Sequence, residues 1–242
     1  MELLAAIGLS LVGSGGGVII ASPLLLLGRQ TRLQLVPGLI SYAVGTLLGV
    51  ALLALVPEAL ESLPAPAALG ALLAGILGFF MLEKLVIWRH CHTADCEAHD
   101  SSAALILIGG GLHNFTDGAI VGAAVLTSLP LGITTALAVA AHQIPQEVGD
   151  YAILLDAGYS RARAFVMNAL SASTCALGAI AVYLAAGWTP TALPYVLAFA
   201  AGSFLYVAMS DLIPGLHRDA VGESAIRQVV LIAAGVGTIM AL

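Results

Sequence analysis

Residues 108–120 read I-G-G-G-L-H-N-F-T-D-G-A-I, and residues 141–150 read A-H-Q-I-P-Q-E-V-G-D. The chain around both stretches is almost wholly apolar. Imidazoles, carboxylates and amide oxygens at four-residue spacing suit a divalent transition-metal cation of borderline softness. On a helix, His113 and Asp117 project about 40° apart, with Asn114 flanking them at about 100°. By the same geometry His142, Gln143, Gln146, Glu147 and Asp150 share one arc of about 140°. His-X3-Asp and His-X3-Gln together supply four candidate ligands, His113, Asp117, His142 and Gln146. Pro145 lies off the arc and lacks a backbone donor, which predicts a kink or opened carbonyls there.

The elements that must position these residues are transmembrane helices. The chain has 242 residues, 60% of them hydrophobic and only 9% charged, with a mean hydropathy of +1.03. Soluble domains carry about 25% charged residues. A spanning helix needs about 20 mostly apolar residues. Proline, glycine and charge as punctuation then divide the chain into eight spans, near 3–27, 36–60, 67–88, 103–127, 131–156, 162–186, 192–212 and 226–242. The expected fold is therefore an all-α polytopic membrane protein, one transmembrane domain over residues 1–242. Continuous rather than alternating apolar character excludes a β-barrel. Residues 1–27 lack a basic leader and hold too long an apolar run for a signal peptide, so they read as a retained first span. Three cysteines give no disulfide framework: Cys91 and Cys96 share a connection and Cys175 lies in an apolar segment. The net charge of −6 reflects scattered acids, and the basic residues form no patch for nucleic acid.

The basic residues provide an independent check on the span count. Arg29 and Arg32, Lys84 and Arg89, Arg161 and Arg163, and Arg218 and Arg227 all fall at odd-numbered connections. The even connections carry none. The positive-inside rule then puts the odd connections in the cytoplasm and both termini outside. Spans 4 and 5 are joined by a very short link near Leu129–Gly132, so they should be antiparallel neighbours whose polar arcs meet. Charged groups at mid-membrane cost several kcal/mol and persist when paired, metal-bound or wet. A cluster that merely fixes helix packing is the competing explanation. Packing is the favoured role for the glycines at 109–111, 118 and 122 and for G-S-G-G-G at 13–17.

H-N-F-T-D-G-A-I-V-G-A at 113–123, followed by H-Q-I-P-Q-E-V-G-D at 142–150, closely resembles the ZIP (Zrt/Irt-like) metal-transporter family. Secondary matches are V-P-E-A at 56–59, G-F-F-M-L-E-K at 78–84 and F-L-Y-V-A-M-S-D-L-I-P at 204–214. The resemblance covers essentially the whole chain. It implies eight spans with both termini outside, and an inverted repeat of spans 1–3 and 6–8 around spans 4 and 5. It implies transport of zinc first, with iron, manganese or cadmium as further cargoes, into the cytoplasm. It also implies that His113, Asp117, His142 and the position of Gln146 are ligands. Asn114 and the position of Gln143 match a second, adjacent metal position. Many relatives carry H-E-x-P-H-E or a second acid where Gln143 and Gln146 stand. Glutamine oxygen is a weak, neutral ligand, so one main site is expected. Ala54 stands where relatives often have a histidine.

The topology orders the remaining acids. Glu58 and Glu61 fall near the outer mouth, and Glu58 is expected to attract the cation. Glu147, counted with the metal-binding set, and Asp150 lie on the cytoplasmic side of His142 and are expected to pass the ion inward. The third connection, 89–100, holds His90, Cys91, His92, Cys96 and His99. Its spacing is not that of a structural zinc site, but it could bind metal released inside, and the family often carries a histidine-rich loop there. No catalytic residue and no resident cofactor is expected. An intramembrane metalloprotease would need H-E-x-x-H, and H-Q-I-P-Q lacks both the base and the second histidine. A proton-coupled carrier of another solute, with His and Asp as relay, is the other alternative. The expected setting is the lipid bilayer of a bacterial inner (cell) membrane, with a homodimer as the candidate assembly.

Overall fold

The computed structural model describes residues 1–24, 26–27, 29–88, 98–219 and 223–242. Eight helical rods account for nearly all of them. They are α1 (Glu2–Leu24), α2 (29–62), α3 (Ala65–Trp88), α4 (Ala98–Thr127), α5 (Leu129–Asp156), α6 (Arg161–Trp188), α7 (193–219) and α8 (Glu223–Met240). Each of the eight expected spans falls on one rod. Five contain stretches long and apolar enough to cross a membrane: those in α1, α2, α3, α6 and α7. The apolar part of α8, Ala225–Met240, is shorter, and α4 and α5 carry the two polar motifs. The chain is an integral membrane protein.

Local chemistry explains where the rods start and stop. Only Ser128 separates α4 from α5, and its hydroxyl accepts from the Leu131 amide at 3.3 Å as an N-cap. The link expected near Leu129–Gly132 thus falls slightly earlier, because Pro130 lies inside the first turn of α5. Proline is tolerated in the first turn of a helix, where its missing N–H has no partner to lose. The hairpin is tight enough that a Cβ on Gly132 would lie 3.0 Å from Cα of Val125. Gly158, at φ +85°, makes the turn between α5 and α6, and Ser160 caps α6 through the Arg163 amide.

Packing divides the rods into two groups. In one, α1 lies against α4, α5 and α6, and α4 packs most extensively on α6. In the other, α2 packs on α8 and α3 on α7, with α2 also against α7. The main contact between the groups runs from α2 to α5. Without water to drive helices together, association depends on close packing and interhelical hydrogen bonds. Reciprocal glycine contacts supply the first. A Cβ on Gly118 would strike the Cys175 carbonyl, and one on Gly178 would strike the Phe115 carbonyl, so α4 and α6 touch backbone to backbone. Gly45 with Gly235 does the same for α2 and α8, and Gly75 with Gly202 for α3 and α7. Hydroxyls supply the second: Thr174 donates to the Gly111 carbonyl at 2.6 Å and Tyr42 to Thr238 at 3.1 Å.

Two features lie beyond the sequence expectations. Both α2 and α7 contain a six-residue π-helical turn, Val50–Leu55 and Val207–Leu212. The two sequences align as V-A-L-L-A-L-V-P and V-A-M-S-D-L-I-P, ending on Pro57 and Pro214. A proline inside a helix frees the carbonyl one turn earlier, and π turns commonly form where that ladder is interrupted.

Candidate metal centre

The site forms where α4 and α5, held antiparallel by the Ser128 hairpin, face each other. His113 Nε2 and His142 Nε2 are 3.2 Å apart. Asp117 Oδ2 lies 3.4 Å from the first and 3.2 Å from the second. Among the described residues these three form the cluster of His, Cys, Asp and Glu able to hold an ion. The triangle has the right size. Zinc sits about 2.0–2.1 Å from nitrogen or oxygen ligands in a tetrahedron, whose edges are then about 3.3–3.4 Å. A point just off the plane of the three atoms is therefore at bonding distance from all of them, with a fourth position open.

Neighbouring groups fix the candidate ligands. His142 Nδ1 lies 3.1 Å from the Ala138 carbonyl. A carbonyl can only accept, so Nδ1 carries the proton and the Nε2 lone pair faces the triangle. Phe79 stands edge-on to the His113 ring at 6.1 Å between centroids, and Phe204 lies 6.0 Å from the His142 ring. Asp117 and His142 are each only 1% exposed, whereas His113 keeps 15% side-chain exposure. His113 therefore lines the approach. That approach is a cavity of about 390 Å³ reaching Gln146, Asp150, Glu83, Tyr206 and Asp211 as well as both imidazoles.

The five residues expected on one arc of α5 divide between two faces. His142, Gln146 and Asp150, one turn apart in succession, line the cavity. Gln143 and Glu147 are buried on the other side. Gln143 donates to Asn114 Oδ1 at 2.5 Å, to Asp117 Oδ2 at 3.0 Å and to Ser14 on α1 at 3.4 Å. Arcs of about 140° are wide enough to straddle two neighbours, and here α4 and α1 take one edge while the cavity takes the other. Pro145 sits inside a continuous α5, and the carbonyl of Ala141 loses its helical donor.

The other expected residues are spread more widely. Asn114 is brought to Asp117 and Gln143, as above. Glu58, half-buried in the last helical stretch of α2, is not among the residues lining this cavity. His90, Cys91, His92 and Cys96 lie outside the described residues, as does the side chain of His99. Ser14 joins the site although its glycine-rich stretch was assigned to packing. Packing is nonetheless what the glycines there do, since a Cβ on Gly13 would lie 3.2 Å from Val139 and one on Gly17 2.8 Å from Gln143 Cβ. Glu83 and Asp211 also join it, Glu83 accepting from the Tyr206 hydroxyl. Their sequence signal was the pair of motifs ending spans 3 and 7.

Fold and site together define a polytopic membrane protein built around a buried His/Asp/His cluster, a candidate cation site. Residues 88–242 match the family model described as ZIP Zinc transporter. The chain is 35% identical over 214 residues to zinc transporter ZIP13 of Pongo abelii, covering 82% of this chain and 64% of that protein. It is 40% identical over 119 residues to human zinc transporter ZIP6, covering 49% of this chain and 16% of the relative. With human zinc transporter ZIP4 it shares 44% over 114 residues, 47% of this chain and 18% of the relative. The chain belongs to the ZIP zinc transporter family, a family of transporters rather than enzymes. It spans less than two thirds of the length of these relatives.

Proposed function

We propose that the protein carries divalent transition-metal cations, zinc foremost and then iron, manganese or cadmium, across the membrane into the cytoplasm. His113, Asp117 and His142 hold the ion, with Gln146 next to the open position. The observation that carries this reading is the triangle of ligand atoms with edges of 3.2, 3.4 and 3.2 Å. Two unprotonated imidazole nitrogens and one carboxylate oxygen favour a borderline metal over an alkali or alkaline-earth ion. A protease is disfavoured, since Gln143 and Gln146 replace its base and second histidine.

The same reading takes all eight rods as spans with both termini outside. Its support is that every Lys and Arg lies in or close beside an odd-numbered connection and none beside an even one. It takes α1–α3 and α6–α8 as an inverted repeat. The matched π turns of α2 and α7, with their shared V-A-x-x-x-L-x-P sequence, support that pairing. In this frame the cavity opens inward, and Asp150 takes the ion from the histidines. Glu147 is an inner acid beside them, Glu58 a cation-attracting acid at the outer mouth, and His90, Cys91, His92, Cys96 and His99 a cytoplasmic acceptor. Zinc K-edge absorption on the purified protein tests the coordination. Two imidazoles and one carboxylate per zinc support it, and a sulfur-dominated shell unchanged by His142→Ala would overturn it.

A further inference from the structure

We propose that Gln143 is a specificity-determining residue: its side-chain amide fills an oxygen cage beside the His113–Asp117–His142 site and restricts that site to one cation. The inference rests on the cation-binding reading above. Three oxygens from two helices, two on α4 and one on α1, converge on one nitrogen of α5, Gln143 Nε2. They are Asn114 Oδ1 at 2.5 Å, Asp117 Oδ2 at 3.0 Å and Ser14 Oγ at 3.4 Å. All four side chains are buried. An amide nitrogen has two hydrogens for these three acceptors, so the cage holds more lone pairs than the amide can satisfy. Asp117 Oδ1 is also buried without a partner.

The orientation of the cage is fixed independently of Gln143. Asn114 Nδ2 donates to the Gly110 carbonyl at 2.9 Å, which turns Asn114 Oδ1 towards Gln143. An amide oxygen in the same place would face three other oxygens, so Nε2 must be the inward atom. Helix α1 presses the side chain into position, because a Cβ on Gly17 would lie 2.8 Å from Gln143 Cβ. Several oxygens grouped about one buried electropositive atom are what a hard cation needs. Here the N–H group takes the cation's place. Asp117 Oδ2 is common to both positions, so an ion in the cage would share a ligand with the ion in the His site. The amide supplies partial positive charge there without that second ion.

Replacing the amide by a carboxylate of the same shape reverses the arrangement. Gln143→Glu brings an anion against Asp117 in a buried space, a placement that demands a counter-cation or a proton. The variant should therefore take a second ion where the wild type takes one. The test counts zinc bound at saturation by the purified full chain, by equilibrium dialysis and elemental analysis, and subtracts the count for the same chain carrying Asp117→Ala. The subtraction removes ions held by the 89–100 connection. The expected difference is one zinc per chain in the wild type and two with Gln143→Glu, at similar elution volume and melting temperature. A wild-type difference of two overturns the proposal, as does a difference of one in folded Gln143→Glu. If that variant fails to fold, the wild-type difference still decides, one for the proposal and two against it. A wild-type difference of zero removes the cation site itself and this inference with it, a result distinguishable from two.

Discussion

His113 and His142 present their Nε2 atoms to each other at 3.2 Å from different helices. An N–H from His113 to the His142 lone pair fills this gap without an ion, and a cation that accepts both lone pairs fills it in the bound form, where both rings serve one ion. The pair should therefore act as a unit. His113→Ala and His142→Ala should each weaken zinc binding by more than the roughly 10–100-fold typical of outer-shell changes. The double variant should be little worse than either single one. Calorimetric titration of the three variants checks this. Additive losses would mean that the rings serve separate sites.

Gln146 follows His142 by one turn and lines the cavity beside both imidazoles. An anionic oxygen binds a divalent ion more strongly than an amide oxygen does. Gln146→Glu should tighten zinc binding about tenfold or more and slow its release into the cavity. Stopped-flow dissociation with a chelator reads both. An unchanged off-rate would place Gln146 outside the coordination sphere.

Close contact between α4 and α6 depends on the absence of a side chain at Gly118, next to Asp117. Gly118→Val should cost at least the ~1–3 kcal/mol of ordinary overpacking, because the obstacle is backbone. It should lower both the melting temperature and zinc affinity. Gly15→Ala, where nothing lies within 4 Å of the added Cβ, should change neither. Equal effects of the two would contradict the packing account.

Thr174 donates to the Gly111 carbonyl at 2.6 Å, two residues before His113 on α4. Interhelical hydrogen bonds of this kind in a membrane average about 0.6 kcal/mol and reach about 1.7. Thr174→Val should lower the melting temperature slightly and leave zinc stoichiometry intact. The same hydroxyl also lies 2.7 Å from the Ser171 carbonyl on its own helix, and destabilisation well beyond this range would contradict so small an interhelical contribution.

Much of this architecture is legible in the sequence because membrane helices are marked by composition alone. Arg29, Lys84, Arg161 and Arg227 punctuate the rods, and one turn of helix relates His113 to Asp117. The meeting of α4 and α5 follows from the shortness of their link. Other features depend on contacts that no local pattern encodes. The division of α5, with Gln146 facing the cavity and Gln143 facing Asn114 and Ser14, is set by where α1 lies. That position depends in turn on Gly13 and Gly17. The π turns before Pro57 and Pro214 are not legible in the sequence either, because a proline predicts an interrupted ladder without saying how it is resolved. Glu83 and Asp211 reach one cavity only because α3 packs on α7.

The central claim is that a divalent cation crosses through the His113–Asp117–His142 site. Radioactive zinc uptake into proteoliposomes tests it most directly, with wild type and Asp117→Ala at matched incorporation and an inward zinc gradient. The account predicts saturable uptake by the wild type, inhibited by cadmium, and uptake at the level of empty vesicles for Asp117→Ala. Uptake by Asp117→Ala equal to that of the wild type would contradict it.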